Sequence, residues 1–224
     1  MASPPLVDTQ RTRAVWRAMA LLSVIADSTR GARLVDLATE TELSPSTALR
    51  LLRTLEDADF VQRNEDGRYD AGGRLLQLSL RAVAHVPLID LARPHLERLR
   101  EHTGESAYLG LKGPNNTVLY AASAESRAAV RHVSWPGRLI PIEGTAIGSA
   151  LQGLVDARTG VAVSSRTIVD EATAIAAPIY GDEGEIVAAI SVVGPTFRLR
   201  PKDLKLIEPL ILKTTRELSR IRKK

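Results

Sequence analysis

No cysteine occurs anywhere in the 224-residue chain. Disulfides, thiolate metal sites and cysteine nucleophiles are thereby excluded, while nothing about the compartment follows from that alone. No run of eighteen apolar residues is present either, so no membrane partner is expected. The opening "MASPPLVDTQRTR" lacks the basic-then-apolar order of a secretory signal, and the expectation is a cytoplasmic protein. Four histidines, His85, His95, His102 and His132, show no paired spacing of the HExxH kind, so no metal site and no cofactor are expected. The GxSxG, P-loop and GxGxxG patterns are missing as well. An enzyme would need scattered catalytic residues that spacing does not reveal, and no catalytic residue is assigned.

What remains has the proportions of a soluble globular protein, 44% hydrophobic and 25% charged, and a length that suits two ordinary domains. The formal net charge is +4, but its distribution matters more than its size. Met1 to Arg74 holds ten arginines, no lysine and eleven carboxylates, a balance of −1. Arg198 to Lys224 holds ten basic and three acidic residues, a balance of +7. Net charge therefore does not single out a nucleic-acid-binding half.

Apolar residues at Val15, Ala18, Met19, Leu22 and Ile25 form a helical stripe over Thr12 to Ala26. A second helix follows in "ARLVDLATETE", with Leu34, Leu37 and Ala38 on one face. Ser44 followed by Pro45 marks the start of a third, because the serine hydroxyl caps a free amide and proline at the first helical position loses no needed bond. In that helix Ala48, Leu49, Leu52 and Leu55 are expected to face inward. "FVQRNEDGRYDA" reads as a hairpin with a two-residue Asp66-Gly67 turn. "GGRLLQLSLRAVAH" and "VPLIDLARPHLERLREHTG" read as two further helices, the second ending at Gly104 and kinked or broken near Pro94. Beyond Ser106, "AYLGLK", "TVLYAASA", "AVRHVSW", "AIAAPIYG" and "EIVAAISVVG" read as strands, "GTAIGSALQGLVD" as a helix among them. "GPNN" and "GDEGE" supply turns. The last segment carries Leu204, Ile207, Ile211, Thr215 and Leu218 at helical spacing, with a basic, solvated outer face.

Three helices followed by a hairpin within some seventy residues form a recurrent DNA-binding module, in which the second helix of a helix-turn-helix enters the major groove. Ser46, Thr47, Arg50 and Arg53 fall on the outer side of that helix, and Arg63 and Arg68 on the wing. They are candidates for base and phosphate contacts. Because this region is not basic overall, non-specific phosphate attraction is weak and arrangement carries the case.

Taken together, "LVDLATETELSPSTALRLLRTLEDADFVQRNEDGRY", "LARPHLERLREHTGES", "IPIEGTAIGSAL" and "AIAAPIYGDEGEIVAAISVVGPTFRL" span most of the chain and resemble the isocitrate-lyase-regulator (IclR) family of bacterial transcription factors. The resemblance implies an α+β protein in three parts: an N-terminal winged helix-turn-helix over 10–73, a linker helix over 74–87, and an effector domain over 88–224. The last would be a GAF/PAS-like antiparallel sheet with a shortened helical region. It also implies a homodimer or homotetramer that binds operator DNA and answers to a small-molecule effector. DNA contacts would come from Ser46, Thr47 and Arg50, with Ser44, Arg53, Arg11, Arg63 and Arg68 around them. Pro45 stands where the family often has a basic residue. The effector pocket would draw on Gly144, Thr145, Ala146 and Ile147, then Ser164 and Ala174, then Ser191 and Val193.

Amides at the start of the "GTAIG" helix suit a carboxylate, which suggests an organic acid. "GVAVSSR" lacks an acidic pair common in the family, and Val193 replaces a common serine, so the pocket is less polar than usual. The segment between "GTAIGSAL" and "GVAVSS" is much shorter than the family's helical excursion. The pocket is therefore expected to be more open, or closed by a neighbouring subunit. Tyr108 and Trp135 are further candidates for its lining. Two functions remain in view: a repressor-type regulator controlled by an organic-acid or aromatic effector, and a metabolite-binding enzyme whose winged helix is an interaction module.

Overall fold

The computed structural model describes residues 9–28, 30–84, 86–134, 136–166 and 171–221. The chain divides into two compact units at residues 85 and 86. In the first, α1 (Thr9–Asp27), α2 (Leu34–Glu40) and α3 (Pro45–Asp57) precede the hairpin β1 (Val61–Arg63) and β2 (Tyr69–Ala71), and α4 (Gly73–Ala84) follows. Leu21, Leu22, Ile25, Leu37, Ala48, Leu52, Leu55, Val61 and Tyr69 form its core. Two inward faces differ from expectation. In α1 the buried residues are Leu21, Leu22 and Ile25, while Val15 and Met19 are exposed. In α3 it is Leu51 that is buried, and Leu49 is only half-buried. Both positions lie within one helical turn of the expected stripe, and the neighbours that arrive decide between them.

The wing also corrects the expected two-residue turn. Asn64 N donates to Arg68 O at 2.9 Å and Gly67 N to Asn64 O at 2.9 Å, so the loop holds Glu65, Asp66 and Gly67. Gly67 sits at φ 73°. A three-residue loop with a left-handed third residue suits strands whose twist a two-residue type I turn would splay.

The second unit opens with α5 (Pro87–Thr103), which runs through Pro94 without ending there, so of the expected kink or break the break does not occur. It stops at Gly104, whose φ of 73° lets its amide reach Arg100 O. Six strands follow: β3 (Ser106–Lys112), β4 (Thr117–Ala124), β5 (Leu139–Pro141), β6 (Ala162–Ser165), β7 (Ala172–Tyr180) and β8 (Ile186–Pro195), with α6 (Ala146–Leu151) between β5 and β6 and α7 (Pro201–Ile221) last. They form one antiparallel sheet ordered β5-β4-β3-β8-β7-β6. One face packs Leu109, Ile175, Ile179, Ile190 and Val192 against Leu96 and Leu99 of α5 and Ile207, Ile211 and Leu218 of α7. The other carries Tyr108, Val118, Tyr120, Ala176, Ala189 and Val193 with α6. A register shift between Leu109 and Gly110 lets Tyr120 and Ala122 serve opposite faces of the same strand.

The "AVRHVSW" segment is not a strand: Arg131 to Ser134 pair with no neighbour in the sheet. Its carbonyls are taken by side chains instead, since Ser106 Oγ donates to His132 O at 2.7 Å and Arg198 Nη2 to Val130 O at 2.8 Å. Between α6 and β6 the chain makes only turns, and among the described residues no helix covers this side of the sheet apart from α6. Among the described residues no single helix is long and apolar enough to cross a membrane.

Candidate functional site

The start of α3 is set by its cap. Ser44 Oγ accepts from Thr47 N at 3.3 Å and donates to Thr47 Oγ1 at 2.9 Å, so this hydroxyl is already engaged in holding the helix start. The turn before it passes through Glu42 at φ 53°, and Leu43 N closes α2 on Ala38 O at 2.9 Å. Ser46, Arg50 and Arg53 then share one exposed stripe, with Thr47 half-buried beside it. Among the described residues no arginine of this unit forms an ion pair. The guanidinium groups of Arg50 and Arg53 thus keep their charge for an outside partner, in spite of the unit's acidic balance. The wing arginines are held closer. Arg63 Nε donates to Gly67 O at 3.2 Å beside the Tyr69 ring, and Arg68 Nη1 donates to Gly31 O at 3.2 Å. The Arg11 side chain lies outside the described residues.

In the second unit, a cavity of about 300 Å³ opens on the α6 side of the sheet, at the small end of ligand-sized pockets. Thr145, Ala146, Ile147, Ser164, Ala174, Ser191 and Val193 all line it, brought together from α6, β6, β7 and β8. Gly144 does not. Trp135 lies outside the described residues, and Tyr108 is buried behind the wall. Val130 to Ser134 of the same chain form a further wall of the cavity, and among the described residues no intrachain helical lid closes it.

Two features of the cavity decide its chemistry. Ser191 Oγ on β8 and Ser134 Oγ on the β4–β5 connection are buried without any hydrogen-bond partner; the two residues are 0% and 1% exposed. Such groups normally find a partner, and leaving one unmet costs about 1–3 kcal/mol. Secondly, the start of α6 is not a free anion site. Ala146 N donates to Ser164 Oγ at 2.9 Å and Gly148 N to Thr145 Oγ1 at 3.0 Å. Two of the first α6 amides are thus taken by the chain's own hydroxyls, which leaves less of the helix start for a carboxylate than its sequence suggests. Positive charge is supplied instead by Arg131 and Arg138, which line the cavity and are exposed.

At the aromatic end the sequence suggested Tyr108 but not its partners Tyr120 and His132. Tyr108 stacks on Tyr120 with centroids 4.7 Å apart, and His132 meets Tyr108 edge-on at 5.3 Å. Tyr108 Oη donates to His132 O at 3.1 Å and lies 2.9 Å from His132 Nδ1. With that phenol proton used on the carbonyl, Nδ1–H is left to donate to the phenol oxygen. Burial, then Arg138, pushes the His132 imidazole below its usual value, and burial raises the Tyr108 phenol to about 12. Both are uncharged at neutral pH.

A winged helix with an unneutralised arginine stripe, followed in one chain by a sheet with a largely apolar cavity that holds a few polar groups, defines the class of one-component transcriptional regulators. The comparisons agree. The IclR helix-turn-helix domain matches residues 14–65, and the C-terminal domain of bacterial IclR transcriptional regulators matches residues 80–157 and 151–220. The chain belongs to the IclR family of DNA-binding transcriptional regulators.

Among its relatives, the transcriptional regulator BhcR of Paracoccus denitrificans is 28% identical over 247 residues, spanning 95% of this chain and 88% of that one. The repressor AllR of Klebsiella pneumoniae is 27% identical over 92% of this chain and 89% of its own. An IclR homologue of Microbacterium hydrocarbonoxydans, solved with 4-hydroxybenzoate, has the same fold, with a TM-score of 0.79, 21% identity and coverage of 94% and 99%. An alignment of 247 residues exceeds this chain's 224, and the C-terminal match breaks at 151–157. Both agree with a segment shortened between α6 and β6. The enzyme reading finds no support in these relatives.

Proposed function

We propose that this protein is a cytoplasmic repressor that binds operator DNA through α3 and is released when a small organic or aromatic acid fills the cavity. Ser46 and Thr47 would touch base edges or phosphates, Arg50 a base, Arg53 and Arg63 phosphates. Ser44 and Arg68, already engaged, would position their neighbours. Thr145, Ala146, Ile147, Ser164, Ala174, Ser191 and Val193 would surround the effector. The observation that carries the effector half is the pair of partnerless buried hydroxyls in one cavity. A ligand's polar atoms supply what they lack.

The protein would act as a homodimer or homotetramer. Trp16 is 74% exposed, and with Val15 and Met19 on α1 and Leu76, Leu80 and Val83 on α4 it leaves two apolar stripes in water. A second copy would cover them and set two α3 helices at operator half-sites about one turn of DNA apart. Effector control then requires that ligand favour a geometry with different half-site spacing, since a ligand with equal affinity for both geometries shifts nothing.

A gel-shift titration on the chain's own upstream DNA tests the reading. Specific binding that weakens as 4-hydroxybenzoate or another small acid is added is the expected result. Binding that ignores every small acid bound by the cavity would remove the effector half.

A further inference from the structure

The connection between β4 and β5 runs from Glu125 to Arg138, and its described residues contain no helix or strand. Irregular connections of that length are uncommon in compact domains, and those that occur are mostly functional. This one is held at three points. Ser126 N donates to Ser106 Oγ at 3.0 Å and Ser126 Oγ to Gly104 O at 2.5 Å. Arg198 Nη2 donates to Val130 O at 2.8 Å, while the same guanidinium grips the buried Glu105 through Nε and Nη2. The His132 carbonyl accepts from both Ser106 Oγ and Tyr108 Oη. Glu105 itself lies directly behind the cavity wall: a Cβ on Gly194 would come within 2.4 Å of its Oε2. Just past the last anchor is Ser134, buried and partnerless. A loosely held connection would turn that hydroxyl to water, so the anchors keep it inside at a cost that nothing within the chain repays.

We propose that this connection is the ligand-selecting wall of the cavity, in which Ser134 meets an uncharged hydrogen-bonding group of the effector, a hydroxyl or carbonyl, and Arg198 is the positioning residue that holds it there. The inference rests on the reading of the cavity as the effector site. The class follows from where charge lies. Ser134 and Ser191 are buried and neutral, the Ala146 and Gly148 amides of α6 are spent on Ser164 and Thr145, and the charged lining residues Arg131, Arg138 and Glu171 are exposed. A carboxylate pushed among the buried serines would lose its water with no countercharge. A hydroxyl or carbonyl gives and takes what two hydroxyls need, and an acid group on the same molecule stays outward with the arginines.

Calorimetric titration of the full chain with benzoate, 4-hydroxybenzoate and terephthalate tests this, because the three share a ring and one carboxylate. The wild-type chain is expected to bind 4-hydroxybenzoate at least tenfold more tightly than benzoate, and terephthalate most weakly. Ser134→Ala should bring the hydroxybenzoate-to-benzoate ratio close to one with benzoate affinity kept. Arg198→Met should lose the same ratio without touching the ligand, and Arg198→Lys, which keeps a donor for Val130 O, should recover part of it. A general loss of structure would weaken all three probes alike and leave the ratio standing. If Ser134→Ala keeps the wild-type preference while Ala174→Trp still blocks binding, the selecting wall is refuted and the cavity reading survives. If the wild-type chain prefers terephthalate, the selecting wall is refuted and the cavity reading survives; if it binds none of the three, both fall.

Discussion

Arg198 holds Glu105 with two nitrogens, Nε on Oε1 at 2.5 Å and Nη2 on Oε2 at 2.9 Å, across ninety-three positions of sequence. The Glu105 side chain is only 4% exposed and that of Arg198 is 31% exposed. Paired forks of this kind are among the stronger polar contacts, and the guanidinium is held further above its usual pKa by that bond. Removing one partner leaves a buried carboxylate uncompensated. Arg198→Met should therefore lower stability by about 3 kcal/mol, near the lower end for a buried pair because Arg198 is partly wet. Calorimetric unfolding measures it, and a loss below about 1 kcal/mol would mean that water already reaches Glu105.

On the DNA side, Arg50 and Arg53 should separate by kind of contact. Arg50→Ala should cost about 1–3 kcal/mol on the operator and little on random DNA, as expected for a base contact. Arg53→Ala should weaken both to the same extent and reduce the slope of log affinity against log salt by about one per lost phosphate contact. Equal behaviour of the two variants would overturn the division.

The Ser44 hydroxyl is engaged with Thr47 N and Oγ1, and we propose that it acts through the helix rather than by touching the groove. Ser44→Ala should cost about 1 kcal/mol of stability through the lost cap, with operator and random DNA weakened in proportion. Ser44→Asp restores an acceptor for Thr47 N and so should recover the melting temperature, while its charge lowers DNA affinity further. Recovery of both would show that the cap alone matters.

Acid should destabilise the second unit through its histidines. His95 is buried between α5 and α7, where Arg98 Nη2 donates to its Nδ1 at 2.9 Å. Burial and then Arg98 lower its pKa, against an opposing pull from Glu217. His132 is lowered as well, by burial and Arg138. In both cases the unfolded chain, titrating near 6.5, takes up a proton that the folded chain resists. The stabilisation is complete above that pH and is lost as pH falls below it. Melting temperatures recorded from pH 7.5 down to 5 should decline, and His95→Gln with His132→Phe should flatten the decline. An unchanged slope in the double variant would assign acid sensitivity to the carboxylates.

Gly148 marks how closely α6 packs on the chain leading into it. A Cβ there would stand 1.8 Å from Ile142 O, a backbone atom that cannot swing aside. Gly148→Ala should lift α6, cost about 1–3 kcal/mol as overpacking does, and weaken effector binding while specific DNA binding persists. Loss of DNA binding together with effector binding would instead mean that the second unit must be intact for the first to work.

Much of this protein was settled by short-range chemistry. Ser44 and Pro45 determine where α3 begins, and hence that Ser46, Arg50 and Arg53 share a wet stripe. Gly104 ends α5, and alternating apolar residues mark β3, β4, β7 and β8. Seven of the eight effector-side residues named from the family pattern meet in one cavity, because the pattern already encodes the strands that carry them. Each of these features depends on partners within a few residues, or on periodicities that the backbone imposes by itself.

The tertiary structure decided what depends on distant partners. Leu51 rather than Leu49 faces the core of the first unit, since both lie near the edge of the apolar stripe and only the arriving helices choose. "AVRHVSW" has strand-like composition, yet Ser106, Tyr108 and Arg198 take its carbonyls and make it a cavity wall. The α6 amides look free until Ser164, eighteen positions later, closes on Ala146 N. Glu105 and Arg198 read as two ordinary surface charges until the fold buries one against the other. Periodicity reports which side of an element is apolar. Burial, the partner of a hydroxyl and the state of a charge are set by what the rest of the chain brings alongside.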